Sequence, residues 1–507
     1  MPLLRKPVLK PIVGLDWMDP STMLQDRGGF YRNMRLYRND LKKREGKTLF
    51  GSTAVSGGQV QHLTTYPLES QVIRLIRMSK TKCQKWNTAT FVWDDITGVN
   101  FTGGDGDFFS TCVAEDKLIL TNGVDVMRTY NDAGNTTNLV AGSGTVPVAK
   151  YIAYNQSGYL IAAYIQSVTG GPFKVQWTDI GDITAWGAGN YGSSLLRHSP
   201  EPIRGLHNLN EFTVAYKKDA IYVGRPVETS DIIIWDLAWQ GAGLMSNRAV
   251  VVHAGKHYFM GTDDFYEFNG VRPESIAKGR VQREVFSRLD GNKTNRCFAL
   301  LLTDYDEVWF FIVTAGENWP TEVWKYNYRL NAWYMDTCSE LTSAALYYTQ
   351  ASVAWDDLVG TWAQQNWRWD DLLTTTDAQT PIFGNASGFC LKQNPFVNND
   401  NGIAIDARYE SIDFTADKFE SYKRWLQLDF EAKGHSVIVE YSTDYGETWQ
   451  SIETVTLTDR WPSKPYTVYF DIVARNIRFR LSNAVSGETF YLRTFYPYYV
   501  EREETSR

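Results

Sequence analysis

The 507-residue sequence predicts an all-β protein: a β-propeller of six or seven blades, a C-terminal β-sandwich of the jelly-roll kind, and a basic N-terminal arm. Three observations predict it. Aromatics are abundant, with 18 Trp, 29 Tyr and 25 Phe, and 39 Gly join many Asn and Asp as turn formers. Aromatic and β-branched side chains suit the pleated surface of a strand. Paired apolar runs recur between about residues 70 and 395, their starts mostly 40 to 55 residues apart, the period of a four-stranded propeller blade. From about residue 398 the pattern becomes short alternating strands, as in a sandwich.

The expected domains are an arm over 1–60, a propeller over 61–397 and a sandwich over 398–507. The propeller runs begin at Val72, Lys117, Gly158, Glu211, Lys256, Glu307 and, more weakly, Pro381. Each is an apolar strand, a turn such as Asn122-Gly123, and a strand ending in an aromatic such as Tyr130, Trp177, Tyr222, Phe268 or Trp324. A blade cannot bury both faces alone, so blades stack around an axis. These aromatics are expected between blades. "RVQREVFSRLDGN" interrupts the strands. It places Val281, Val285, Phe286 and Leu289 on one helical face, with Gly291 past the end, so a short helix is expected near 281–289. "VAWDDLVGTWAQQNWRWDDLL", residues 353–373, repeats Trp-Asp-Asp-Leu and reads as a tandem of tight turns around Trp.

The sandwich strands are "ARYESIDF", "RWLQLDFEA", "SVIVEYS", "TVYFDIV", "IRFRLSN" and "FYLRTFYPYYV". Between two of them lies "STDYGETW". Ser442, Asp444, Gly446, Thr448 and Trp449 have the spacing of the Asp-box, a hairpin best known from sialidases. The hairpin needs no catalysis to explain it. Ser442 and Asp444 suit bonds to turn backbone, Gly446 supplies positive φ, and Trp449 is expected to bury its ring against the sheet. One copy occurs, outside the propeller.

Patterns for catalysis are thin. The six His form no HExxH, and no P-loop or GxSxG occurs. His253 and His257 are four apart in a strand-like region, where that spacing does not bring them together. "TGGDGDFF", residues 102–109, lacks the ligand spacing of a Ca²⁺ loop and reads as a turn. Asp94-Asp95, Asp263-Asp264 and Asp356-Asp357 are adjacent in sequence, so in strands they point to opposite faces and make no glycosidase pair. No catalytic, cofactor-binding or metal-ligating residue is assigned, and no enzyme is expected. The five scattered Cys, without a CxxC, read as reduced thiols of a chain made in a reducing cytosol. No apolar run reaches the ~20 residues of a membrane helix, and the first residues do not read as a secretory signal.

Several strings together resemble a known family. They are "GLDWMDPSTMLQDRGGFYRNMRLYRNDLKKREGKTLFG", "KVQWTDIGDITAWGAGNYGS", the segment "WQGAGLMSNRAVVVHAGKHYFMGTDDFYEFNG" at 239–270, the Trp-Asp-Asp-Leu tandem, and "VEYSTDYGETW" with "IRFRLSN". Their order is similar to that of the tail nozzle, or packaged-DNA stabilisation, proteins of short-tailed bacteriophages. The resemblance implies a structural virion protein located in the tail and made in the host cytoplasm. Six copies would form a ring below the portal and adaptor rings, closing the DNA exit and then conducting double-stranded DNA without reading its sequence. No cofactor and no catalytic residue is implied.

Charge suits that role. The net charge is -7, but residues 1–49 carry 11 Lys/Arg against 5 Asp/Glu. An acidic body disfavours broad DNA binding and permits a lining along which DNA slides. The arm's Arg32, Arg35, Arg38, Lys42, Lys43 and Arg44 are expected to dock on an acidic adaptor surface or a neighbouring subunit. Deletion of 1–49 is then expected to leave a folded propeller that fails to assemble. The alternative is a glycan-binding or sialidase-like propeller, which expects a pocket where Arg and carboxylates converge.

Overall fold

The structure is a computed structural model, and it describes residues 4–5, 29–37, 40–166, 168–227, 232–348, 379–415 and 420–501. The Trp-Asp-Asp-Leu tandem, Asp356-Asp357 and Arg38 lie outside the described residues. Each apolar run that opens a repeat is the second strand of a four-stranded antiparallel blade. The blades span 62–95, 110–138, 149–195, 203–240, 250–275, 298–337 and 341–394. The propeller therefore has seven blades, the upper of the two expected numbers. The first strands, such as Ile203–Leu209 and Leu341–Tyr348, lie innermost, and Leu341–Tyr348 meets His62–Pro67 where the ring closes.

Blades are held together by apolar layers between neighbours. Tyr66, Ile76 and Phe109 with Tyr130 fill the gap between blades 1 and 2. Trp177 and Tyr222 lie between blades 3 and 4, and Phe268 with Phe259 between blades 4 and 5. Trp324 is fully buried in the largest cluster, which runs from blade 5 through blade 6 into the sandwich. The expected interblade role of these aromatics holds. The helix is Gln282–Arg288, with Val281 and Val285 buried and Phe286 and Leu289 packed against the same cluster.

The N-terminal segment departs from expectation: it is woven through both domains. Gly46–Leu49 pairs with Cys390–Asn394 and is the fourth strand of blade 7, so the first and last parts of the propeller sequence close one blade. Upstream, Phe30–Arg32 lies parallel to Ala332–Thr337, the outer strand of blade 6, and antiparallel to Ala407–Glu410 of the sandwich. One nine-stranded sheet results, running from blade 6 across Phe30–Arg32 to the sandwich edge at Gln450–Thr456. Met34–Tyr37 and Asp40–Lys43 then join the opposite sandwich sheet, beside Phe490–Glu501.

Asn33 turns the chain from one sheet to the other. Its φ is 55°, in the left-handed region that Asn tolerates better than most residues. Its Oδ1 accepts from the Thr337 N–H at 2.8 Å, and its Nδ2 donates to the Asp406 carbonyl at 2.7 Å. The sandwich strands read from sequence are all present, from Ala407–Glu410 to Phe490–Glu501. The domain limits shift, because 29–49 belongs to the folded body and not to an arm.

Candidate functional site

The Asp-box folds as its residues dictate. The Ser442 hydroxyl donates to Asp444 Oδ1 at 2.6 Å and accepts from the Gly446 N–H at 2.9 Å. Asp444 accepts from the Thr448 N–H at 3.0 Å and from its hydroxyl at 2.5 Å. Gly446 has φ 93°. The Ser442 and Thr448 hydrogen bonds hold the Asp444 carboxyl well below the usual carboxylate range. Trp449 differs from expectation. It is half-buried, donates to the Gly446 carbonyl at 3.0 Å, and lies under the Arg480 guanidinium at 4.3 Å. The strand that follows it, Gln450–Thr456, is a sheet edge.

Of the cations expected to dock, Arg35, Lys42, Lys43 and Arg44 are engaged within the chain. Arg44 makes a two-pronged bond to Asp400, at 2.6 and 3.0 Å, and donates to the Thr337 carbonyl at 3.1 Å. Lys47 reaches Asp400 at 3.2 Å. Arg35 pairs with Glu45 at 3.0 Å and lies over Tyr305, and Lys42 approaches Glu45 at 3.7 Å. Lys43 is buried and donates to Asn483 Oδ1 at 2.9 Å, and burial pushes its pKa down to about 8. The Arg32 Nε is buried without a partner, and burial lowers its guanidinium pKa. These residues are at the seam between the two domains, which corrects the expectation of a free docking arm. Their strands are buried by tertiary pairing that local charge cannot reveal.

The concave surface lies elsewhere, on the propeller axis. The seven innermost strands surround a cavity of about 420 Å³, with His62, Thr111, His207 and Arg248 on its wall. His62 Nε2 is 3.0 Å from the Thr111 hydroxyl, and His207 Nε2 donates to the Asn247 carbonyl at 2.8 Å. Burial pushes the His62 imidazole down to about 3, helped by the Arg248 charge, and His207 to about 4. Both rings are neutral at pH 7. Arg248 comes from the turn before the innermost strand of blade 5. It donates to the carbonyls of Thr342, Arg296 and Gln61 at 2.7, 3.0 and 3.1 Å, and stacks on Phe108 at 3.7 Å. Its Nε is buried and unbonded. Burial pushes its pKa down to about 9, still protonated at neutral pH.

Arg248, Asn247 and Phe109 also line an adjoining mouth of about 340 Å³, with Lys150, Arg204, Asn292 and Asn295. Sequence reasoning missed this site. Its residues come from four blades and carry no shared motif, although Arg248 falls inside the 239–270 string. Of the other candidates, His253 stacks on Tyr328 with ring centroids 4.6 Å apart. His257 instead donates to the Asn208 carbonyl at 2.8 Å and bonds the Tyr216 hydroxyl at 2.7 Å. The Thr102–Phe109 loop is a turn held by Asp107 and Asp125. No metal-binding cluster of His, Cys, Asp or Glu occurs among the described residues. All five Cys are free thiols whose pKa burial raises. No helix among the described residues is long and apolar enough to cross a membrane.

No protein-family model and no curated protein matches the sequence. Among similar solved structures, an exo-β-1,3-galactanase from Phanerochaete chrysosporium is 10% identical, over 79% of this chain and 97% of its own, with a TM-score of 0.26. The WD40 domain of Neurospora crassa Pan2 is 8% identical, over 69% of this chain and 96% of its own, with a TM-score of 0.37. A family 29 carbohydrate-binding module is 14% identical, over 24% of this chain and 69% of its own, with a TM-score of 0.16. Likenesses at this level carry no argument about activity or ligand.

Proposed function

We propose that the chain is a structural subunit of the tail nozzle of a short-tailed bacteriophage. Six copies form a tube on the adaptor ring, retain packaged DNA and conduct it during ejection. The observation that carries this reading is the continuous sheet from blade 6 into the sandwich, locked by Phe30–Arg32 and by the Arg44–Asp400 pair. Domains within one chain ordinarily meet at a modest interface and move relative to each other. Here backbone hydrogen bonds cross the junction, so force applied to the sandwich reaches the propeller without a hinge. A wall that holds DNA under pressure needs that property. The family resemblance suggests the identity of the tube, and the acidic composition permits a lining along which DNA slides.

The test is mass measurement and negative-stain imaging of the purified chain, alone and with adaptor protein. A six-fold ring is the expected result. A lone monomer that hydrolyses sialosides overturns the reading. The second reading, a glycan-binding propeller, is favoured by one observation: three cations that meet no carboxylate among the described residues converge with side-chain amides at the axial mouth.

A further inference from the structure

We propose that the axial mouth of the propeller is a binding site for an acidic saccharide, its carboxylate or phosphate held by Lys150 and Arg204 in the field of the neighbouring Arg248. This deepens the glycan-binding reading and does not depend on ring assembly. The chain is acidic overall, yet three cations line one concave opening. Arg248 is spent on three carbonyls and keeps a buried Nε without a partner. Arg204 makes only a long contact of 3.5 Å to the Met245 carbonyl. Lys150 lies 4.5 Å over the Tyr164 ring. None of the three forms an ion pair with a carboxylate among the described residues. The one carboxylate in the mouth, Asp107, accepts from the Gly104 N–H at 2.9 Å.

Uncompensated charge in a low-dielectric concavity focuses the field on whatever anion enters. Guanidinium groups match carboxylate and phosphate oxygens geometrically. The rest of the lining selects the body of the ligand. The side-chain amides of Asn292 and Asn295 make no hydrogen bond to any described residue, and both lie on the mouth with Asn247. Amides of this kind donate to and accept from hydroxyls at once. A mouth of about 340 Å³ is far larger than a lone oxyanion and sits at the lower end of small-molecule pockets. Charge for the acid group and amides for several hydroxyls describe a sugar acid or sugar phosphate.

Calorimetric titration of the full chain with glucuronate, glucose 6-phosphate, glucose and inorganic phosphate tests this. The two acidic sugars are expected to bind, with glucose weaker by roughly tenfold or more. Arg204→Gln and Lys150→Gln are each expected to weaken acidic-sugar binding by a similar factor and to leave the thermal midpoint unchanged. Arg248 also bridges blades, so the two exposed-side variants keep the test independent of folding. Glucose binding as tightly as glucuronate overturns the acid-group assignment and leaves the glycan-binding reading standing. Inorganic phosphate binding as tightly as glucose 6-phosphate overturns the saccharide body. Binding insensitive to both variants overturns the location, and no sugar binding at all overturns both readings.

Discussion

Arg44→Met tests whether the N-terminal segment is a seam or a docking arm. Arg44 has only 6% of its side chain exposed, and Asp400 11%. The guanidinium holds both Asp400 oxygens and the Thr337 carbonyl, and its Nε donates to Asn33 Oδ1 at 2.9 Å. Methionine conserves much of the volume and removes the charge. Asp400 then keeps Lys47 alone, and the Asn33 and Thr337 acceptors lose a donor. Breaking one side of a buried pair costs ~3–5 kcal/mol, because the other charge stays buried. The residual Lys47 contact places the expected loss near the lower end, about 3 kcal/mol. Arg44→Met with Asp400→Leu removes both charges and is expected to recover much of that loss. Urea unfolding followed by Trp fluorescence measures it. A loss below about 1 kcal/mol, with wild-type folding and defective attachment to tails, would refute the seam and restore the docking arm.

Further outcomes follow from the same contacts. In Gly46→Ala the new Cβ would sit 1.9 Å from the Asn399 carbonyl oxygen, a backbone atom with little room to retreat; a loss of at least ~2 kcal/mol is expected, with blade 7 becoming protease-sensitive first. The Glu45 carboxyl is opposed by burial but overcome by Arg35 and Lys42, which lower it to about 2. A depressed folded pKa contributes stability above the unfolded value near 4.3, lost as pH falls from about 4 to about 2. Urea midpoints should drop steeply in that window, and less so in Glu45→Gln. Trp449→Ala should cost about 2 kcal/mol in the same assay, below the ~3–5 of a fully buried Trp, because the ring is half-buried beneath Arg480.

The repeat was legible because it is local. Seven runs named from apolar periodicity became seven blades, since the second strand of most is largely apolar, as in Leu160–Ile165 and Glu307–Ile312. The innermost strands were not. Ser110–Ala114 and Ile203–Leu209 face the axial cavity with Thr111 and His207, so their pattern is mixed. The closing strand Gly46–Leu49 is separated from its partner by more than three hundred residues, and no local signal marks such a pairing. The same holds for Asn33, whose partners at Met335, Thr337 and Asp406 are equally remote. The basic segment differs from expectation for that reason: its charge is visible in sequence, and Asp400 and Asn483, which engage Arg44, Lys47 and Lys43, become neighbours only on folding.

The Asp-box and the axial mouth differ in what they have left to offer a ligand. In the Asp-box the four polar motif side chains are already engaged: Ser442, Asp444 and Thr448 bond one another and the turn backbone, and the Trp449 N–H is spent on Gly446. A ligand there would have to displace a bond for each one it made, and the net gain from such an exchange is small. The axial mouth is the reverse case. Its Lys150 and Arg204 meet no carboxylate, and its Asn292 and Asn295 amides make no hydrogen bond, among the described residues, so an acidic ligand would gain partners there without displacing an ion pair. A familiar motif marks the saturated site, and no motif marks the unsaturated one. Binding capacity on this chain follows the groups that folding leaves unmatched in a concavity.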